Sequence, residues 1–206
     1  MIKVIAFDLV GVLLREKAFP LSDIEDKIER TFGKEISDNK IISDMSEKLG
    51  LSKWEIIEKM KYIINNIYDL KFNPGYLKDE YPNIKLVVAS NHVKYINEYL
   101  NKHFKNTFDD ILISGSINKF KPNSDFYNEL INVCDAKPSE ILFLDDNKNN
   151  IEGALKLGIR SLLINKNDDI KEKLSNILKT YWLKFKMSYN DNDVFARNLY
   201  INIPTT

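Results

Sequence analysis

The chain has two textures. Short apolar runs that end in a polar residue occupy the first dozen positions and the stretch from about 84 onward; between them lies a segment of helical periodicity. Residues 2–7, Ile-Lys-Val-Ile-Ala-Phe, are rich in β-branched residues and bounded by the turn at Gly11, which predicts a short buried strand. From about 20 to 72 the spacing becomes helical. Ser22-Asp23-Ile24-Glu25 and Ser52-Lys53-Trp54-Glu55 each place a glutamate three residues after a serine, the reciprocal capping pattern of a helix start. A further helix is expected over about 39–49, closed by Gly50, and Asn73-Pro74-Gly75 ends the segment as a turn.

After that turn, strands and helices alternate. A strand over 84–89 ends at Ser90-Asn91 and leads into a helix reaching about Phe104. A strand over 111–113 is followed by a loop containing Gly115 and Lys121-Pro122, then by a helix from Ser124 to Cys134. The strand 141–144 ends at Asp145-Asp146, the helix 148–157 stops at Gly158, and a strand over 161–164 completes the series. Apolar strands separated by helices predict an α/β fold, a doubly wound parallel sheet covered on both faces, with the helical segment inserted after the first strand. The expected division is a core of 1–14 and 74–165, a small helical cap at 15–73, and a C-terminal helix and tail at 166–206. Within that last part, 169–187 brings Ile170, Leu174, Ile177, Leu178 and Tyr181 onto one helix face. The segment 188–206 mixes Asn and Asp with apolar pieces, and three fates fit it: packing on the core, contact with a partner, or partial disorder.

Composition narrows the partners. Lys and Arg total 30 and so do Asp and Glu, so no overall field favours nucleic acid or an anionic membrane. No apolar stretch approaches a membrane span, and the N-terminal run carries Asp8 and lacks the cleavage pattern of a signal peptide. The single cysteine, Cys134, excludes an intrachain disulfide and reads as a small buried side chain. A cytoplasmic protein is the expectation, either a monomer or a homodimer formed through the C-terminal tail.

Polar residues follow three of the apolar strands directly: Asp8, Ser90, and the pair Asp145-Asp146. Parallel strands deliver their carboxyl ends to one edge, so these groups are expected to meet there. Adjacent carboxylates are costly without a cation between them, and hard oxygen donors suit Mg²⁺. Lys121, in the loop before the helix that precedes Asp145, would neutralise both a carboxylate and a bound phosphate. A carboxylate nucleophile, a magnesium ion, a lysine and a hydroxyl describe phosphoryl transfer through an aspartyl-phosphate.

Four segments carry a family resemblance. Phe7-Asp8-Leu9-Val10-Gly11-Val12-Leu13, Leu86-Val87-Val88-Ala89-Ser90-Asn91, Lys121-Pro122-Asn123-Ser124-Asp125-Phe126-Tyr127 and Ile141-Leu142-Phe143-Leu144-Asp145-Asp146-Asn147 resemble, in order, the four motifs of the haloacid dehalogenase superfamily. The last continues through Asn150-Ile151-Glu152-Gly153-Ala154 to Leu157-Gly158, and the likeness spans about residues 2–165. It implies a Rossmann-like core with a small helical cap, similar to small sugar-phosphate phosphatases, and a phosphorylated metabolite as substrate. It also implies Asp8 as nucleophile and metal ligand, with Val10 giving the metal its backbone carbonyl. Asp146 would be the direct ligand of the acidic pair, with Asp145 acting directly or through water. Ser90 and the backbone at Asn91 would hold phosphate oxygens, and Lys121 would bridge phosphate and Asp8.

Position 10 departs from the pattern. The family's first motif carries a second aspartate there, which protonates the leaving oxygen and then deprotonates water; valine does neither. Three readings follow: a phosphatase with an easily leaving substrate or an acid from elsewhere, a non-hydrolytic protein that binds a phosphorylated ligand or a protein partner, and a dehalogenase. The Asp145-Asp146 pair argues against the last. Glu16, Lys17 and the segment to Pro20 are nearest the site in sequence and are expected to read the leaving group. His92 reads as the start of a helix, Lys119 competes with Lys121 for the site, and Trp54 and Trp182 are expected to pack.

Overall fold

The computed structural model describes residues 1–190. Its centre is a five-stranded parallel sheet in the order β5-β4-β1-β6-β7, built from β1 (Val4–Phe7), β4 (Lys85–Ser90), β5 (Asp110–Ile113), β6 (Ile141–Asp145) and β7 (Arg160–Leu163). All of β1 and β6 is buried, as is β4 beyond Lys85, which explains why these strands read as unbroken apolar runs. Side chains still alternate between two faces. Ile5, Phe7, Leu86, Val88, Leu142 and Leu144 join one cluster, while Val4, Ala6, Val87, Ala89, Ile141 and Phe143 join the other.

Helices cover both clusters. The first is closed by Ile96, Tyr99 and Leu100 of α5 (Ile96–His103) and by Ile170, Leu174 and Leu178 of α9 (Ile170–Asn190). The second is closed by Phe126, Tyr127 and Leu130 of α7 (Ser124–Cys134) and by Ile151 and Ala154 of α8 (Lys148–Lys156). Ile177 and Tyr181 lie against the same core as the buried residues of α9, so the face read from periodicity is the packed face. The tail beyond 190 and the packing of Trp182 lie outside the described residues. Among the described residues no helix is long and apolar enough to cross a membrane.

Between β1 and β4 lie α1 (Asp23–Glu29), α2 (Asp38–Leu49) and α3 (Lys53–Ile67), with α1 and α2 both packed on α3. Ser22 and Ser52 make the predicted reciprocal capping boxes, and Gly50 ends α2 at φ +66°. A cap contributes about 1 kcal/mol, whereas each fully buried aliphatic side chain contributes roughly 1.5–3 kcal/mol. Ile28, Ile41, Ile56, Met60, Ile63 and Ile64 therefore hold the insert together, and the caps set where its helices begin.

Four short elements and one side chain depart from the sequence reading. An antiparallel ribbon of β2 (Leu14–Glu16) and β3 (Tyr68–Leu70) closes the insert at its base. Each strand has only three residues and alternates little, so no periodic signal marks it. The short helix α6 (Ser114–Ile117) forms where loop was expected, and α4 (Tyr76–Glu80) forms in a stretch to which no element was assigned. Trp54, expected to pack, is 68% exposed at the start of α3.

Candidate functional site

Strand register assembles the site. Phe7 pairs with Leu144 on one side and Val88 on the other, so Asp8 and Asp145, each one residue further, end their strands side by side with Ser90 just beyond. The Asp8 amide donates to the Leu144 carbonyl at 2.8 Å, extending the ladder by one residue. The chain leaves β1 to β4 on one side and reaches β6 on the other, which opens a crevice at the carboxyl edge. A cavity of about 390 Å³ occupies it, and Asp8, Val10, Ser90, Asn91, Lys121 and Asp146 all line it.

Lys121 is the hub. Its Nζ donates to Asp8 Oδ1 at 2.7 Å and to Asp145 Oδ2 at 2.6 Å, its side chain fully buried, with the Phe143 ring 5.1 Å beneath the charge. Burial opposes the charge, but Asp145 and Asp8 outweigh it and hold the ammonium above its ordinary pKa. Lys119, the competing lysine, pairs instead with Glu129. The Asn91 side chain fixes Lys121 from behind, donating to its carbonyl at 2.8 Å and accepting from its amide at 2.9 Å. The sequence reading gave Asn91 only a backbone role; the side-chain clamp joins two segments thirty residues apart and has no local signature.

The two adjacent aspartates differ sharply. Asp145 is fully buried and also accepts from the Asn147 amide at 2.8 Å and from Asn150 Nδ2 at 3.1 Å. Burial pushes its carboxyl upward, and Lys121 opposes that shift. Asp146 instead faces the cavity, its pKa raised by desolvation and by the charge on Asp8. It reaches that position because residue 11 is glycine. Gly11 holds φ +94°, and a Cβ there would lie 2.1 Å from Asp146 Oδ2. Lys71, one residue beyond β3, donates to the Gly11 carbonyl and secures this turn.

Asp8, Asp145 and Asp146 each offer an oxygen within 4.8 Å of the others. Three carboxylates against the one ammonium among them leave two negative charges, and hard oxygen donors with that balance fit a divalent cation such as Mg²⁺.

The residues expected to read the leaving group are elsewhere. Glu16 belongs to the β2–β3 ribbon, Lys17 pairs with Asp69 at 3.0 Å, and neither they nor the segment to Pro20 line the cavity. They follow the first motif in sequence, but the ribbon carries them away from the sheet edge. Gly33 and Glu35, in the loop between α1 and α2, line the cavity instead. His92 is likewise not at a helix start and does not line the cavity; α5 begins at Ile96. It is 3% exposed between the Phe32 and Tyr68 rings. Its Nδ1 lies 3.2 Å from the Val93 carbonyl, which only accepts, so Nδ1 carries the proton and Nε2 accepts from the Tyr68 hydroxyl at 3.0 Å. Burial lowers its pKa to about 4.

Comparison with known proteins agrees with this architecture. Residues 5–164 match the family described as haloacid dehalogenase-like hydrolase. The chain is 34% identical over 70 residues to a drimenol cyclase from Aspergillus calidoustus and 29% identical over 89 residues to bifunctional epoxide hydrolase 2 from Mus musculus. It spans only 13% and 16% of those proteins' lengths. Among solved structures, a predicted HAD-like family hydrolase from Porphyromonas gingivalis superposes with a TM-score of 0.66 at 20% identity, covering 87% of this chain and 98% of that one. A HAD family enzyme from Bacteroides thetaiotaomicron, solved with magnesium and inorganic phosphate, gives 0.64 at 16% identity over 84% and 98%. A predicted phosphoglycolate phosphatase from Haemophilus somnus gives 0.57 at 18% identity over 87% and 98%. With three-quarters of its length inside the family match and the family's sheet beneath its acidic edge, the chain belongs to the haloacid dehalogenase-like hydrolases.

Proposed function

We propose that the protein is a Mg²⁺-dependent phosphomonoesterase that acts through an aspartyl-phosphate on Asp8, with a small phosphorylated metabolite as substrate. The carrying observation is the Asp8–Lys121–Asp145 chain at a cavity that Asp146 also lines. Asp8, Asp146, the Val10 carbonyl and Asp145, directly or through water, are the groups to hold the ion. When bound, the ion offsets the charge of the transferring phosphoryl group.

The residues divide the remaining work. Asp8 supplies the attacking oxygen, and Lys121 pairs with that carboxylate while offsetting charge on the phosphoryl oxygens. Ser90 and the Asn91 backbone donate to those oxygens, and the Asn91 side chain keeps Lys121 in place. Asp145 holds Lys121 from the far side, so the ammonium is positioned before substrate arrives. Water then cleaves the acyl phosphate and regenerates Asp8. The α1–α3 insert acts as the cap, segment 15–73, over a core of 1–14 and 74–165. The protein works in the cytoplasm as a monomer or as a homodimer formed through its tail at 166–206, without nucleic acid or membrane.

Val10 favours a second reading, in which the fold binds a phosphorylated ligand or a protein partner with little turnover. A direct assay separates the two. With Mg²⁺ the protein should release phosphate from p-nitrophenyl, acetyl and sugar phosphates, and Asp8→Asn should abolish that release. Equal rates in the two proteins contradict the phosphatase reading. Absence of turnover together with a saturable, Mg²⁺-dependent thermal shift on adding a phosphorylated metabolite establishes the second.

A further inference from the structure

The cavity holds four titratable side chains: Asp8, Lys121, Asp146 and Glu35. Within the phosphatase reading the first three are committed to attack, charge compensation and the cation. Glu35 has no assigned task. It lies in the loop between α1 and α2, and the valine at position 10 leaves the leaving oxygen without a proton donor.

Contacts on both sides place this loop on the site. Gly33, at φ +72°, lies against the residue that follows β4, where a Cβ would sit 3.2 Å from the Asn91 carbonyl. The Glu35 carboxylate meets the loop of Lys121, accepting from Asn123 Nδ2 at 3.3 Å through Oε2. Beyond it, the Asp38 carboxylate is buried against the core and accepts the Lys94 amide at 2.8 Å. Asp38 also fills the space at Gly115, where a Cβ would meet its Oδ1 at 2.4 Å. The loop is therefore fixed at Gly33 and at Asp38, with Glu35 between them at the cavity rim. Asn147, Asn149 and Asn150, which also line the cavity, carry amides and cannot transfer a proton at neutral pH.

We infer that Glu35 is the catalytic acid and base that replaces the aspartate missing at position 10, delivered from the insert and not from the first motif. In the first step an Asp8 oxygen bonds to phosphorus, the bond from phosphorus to the leaving oxygen breaks, and the Glu35 carboxyl proton passes to that oxygen. In the second step water bonds to phosphorus, its proton passes to the Glu35 carboxylate, and the bond to Asp8 breaks. Glu35 and Asp8 then stand as they began.

The inference rests on the phosphatase reading, and leaving-group chemistry tests the two apart. kcat/KM is measured with Mg²⁺ for p-nitrophenyl, phenyl and glycerol phosphates in wild type, Glu35→Gln and Val10→Asp/Glu35→Gln. Melting temperatures equal to wild type establish that the exposed Glu35 is not needed for folding. General acid catalysis is worth roughly 100-fold or more for a poor leaving group. Glu35→Gln should lose on the order of 100-fold on glycerol phosphate but only a few-fold on p-nitrophenyl phosphate, and Val10→Asp should restore part of the loss. An equal loss on every ester makes Glu35 a binding residue and overturns the inference. So does a wild type that cleaves only the aryl esters, which leaves the phosphatase reading standing. No cleavage of any ester overturns both.

Discussion

At the carboxyl edge of the sheet, the buried charges are held several times over. Lys121 meets two carboxylates, and Asp145 accepts from Lys121, Asn147 and Asn150. On the insert, the Glu35 carboxylate has one hydrogen bond among the described residues, the long one from Asn123, and rests on a loop pinned at its ends. The core wall is thus preorganised side chain by side chain, whereas the insert wall is positioned as a segment. Charge that must be compensated before substrate arrives sits on the first; adaptable contact with a leaving group suits the second.

Removing the hub should break this contrast most severely. Lys121→Ala leaves Asp8 and Asp145 facing each other without their cation, a loss on the order of 3–5 kcal/mol of stability by the cost of unpairing buried charges. Urea unfolding should register it, and phosphate release should fall below detection. A variant as stable as wild type would mean that the edge is not charge-balanced as described.

His92 sharpens the comparison at the seam between the walls, since it belongs to the core segment after β4 but is covered by Phe32 and Tyr68. Its folded-state pKa lies below its unfolded value, so its contribution is complete above about 6.5. That contribution declines as pH falls from there toward about 4, where the folded protein would also take up the proton. The full loss is on the order of 3 kcal/mol, from 1.36 kcal/mol per pKa unit. Urea midpoints measured across that window should fall in wild type and fall less in His92→Gln. The smallest effect should come from Ser52→Ala, which removes one capping box for about 1 kcal/mol. Hydrogen exchange should quicken in α3 while β1 and β6 stay protected.

The same contrast governs what the sequence disclosed. Asp8, Ser90, Asp145 and Asp146 each end or follow a strand buried along all or nearly all of its length, so a hydrophobic run points at them directly. Lys121 was legible through its Lys-Pro motif, and the α9 face through helical spacing. Gly33 and Glu35 lie between two helices whose periodicity says nothing about the loop joining them. Nearness in sequence to the first motif pointed to Glu16–Pro20, but pairing of β2 with β3 carries that stretch away. The Asn91–Lys121 clamp, the Lys71 bond to Gly11 and the Asp38 anchor are all long-range, and each needs the fold before it can be seen. Gly11 stood out as a turn; its second task, making room for Asp146, follows only from their proximity.

The central claim is that Asp8 becomes covalently phosphorylated. The most direct measurement is mass spectrometry of the protein quenched in acid during turnover of p-nitrophenyl phosphate with Mg²⁺. The account predicts one added phosphoryl group on the peptide carrying Asp8, lost on treatment with hydroxylamine and absent in Asp8→Asn. Phosphate release that continues in Asp8→Asn, with no adduct on that peptide in wild type, would contradict it.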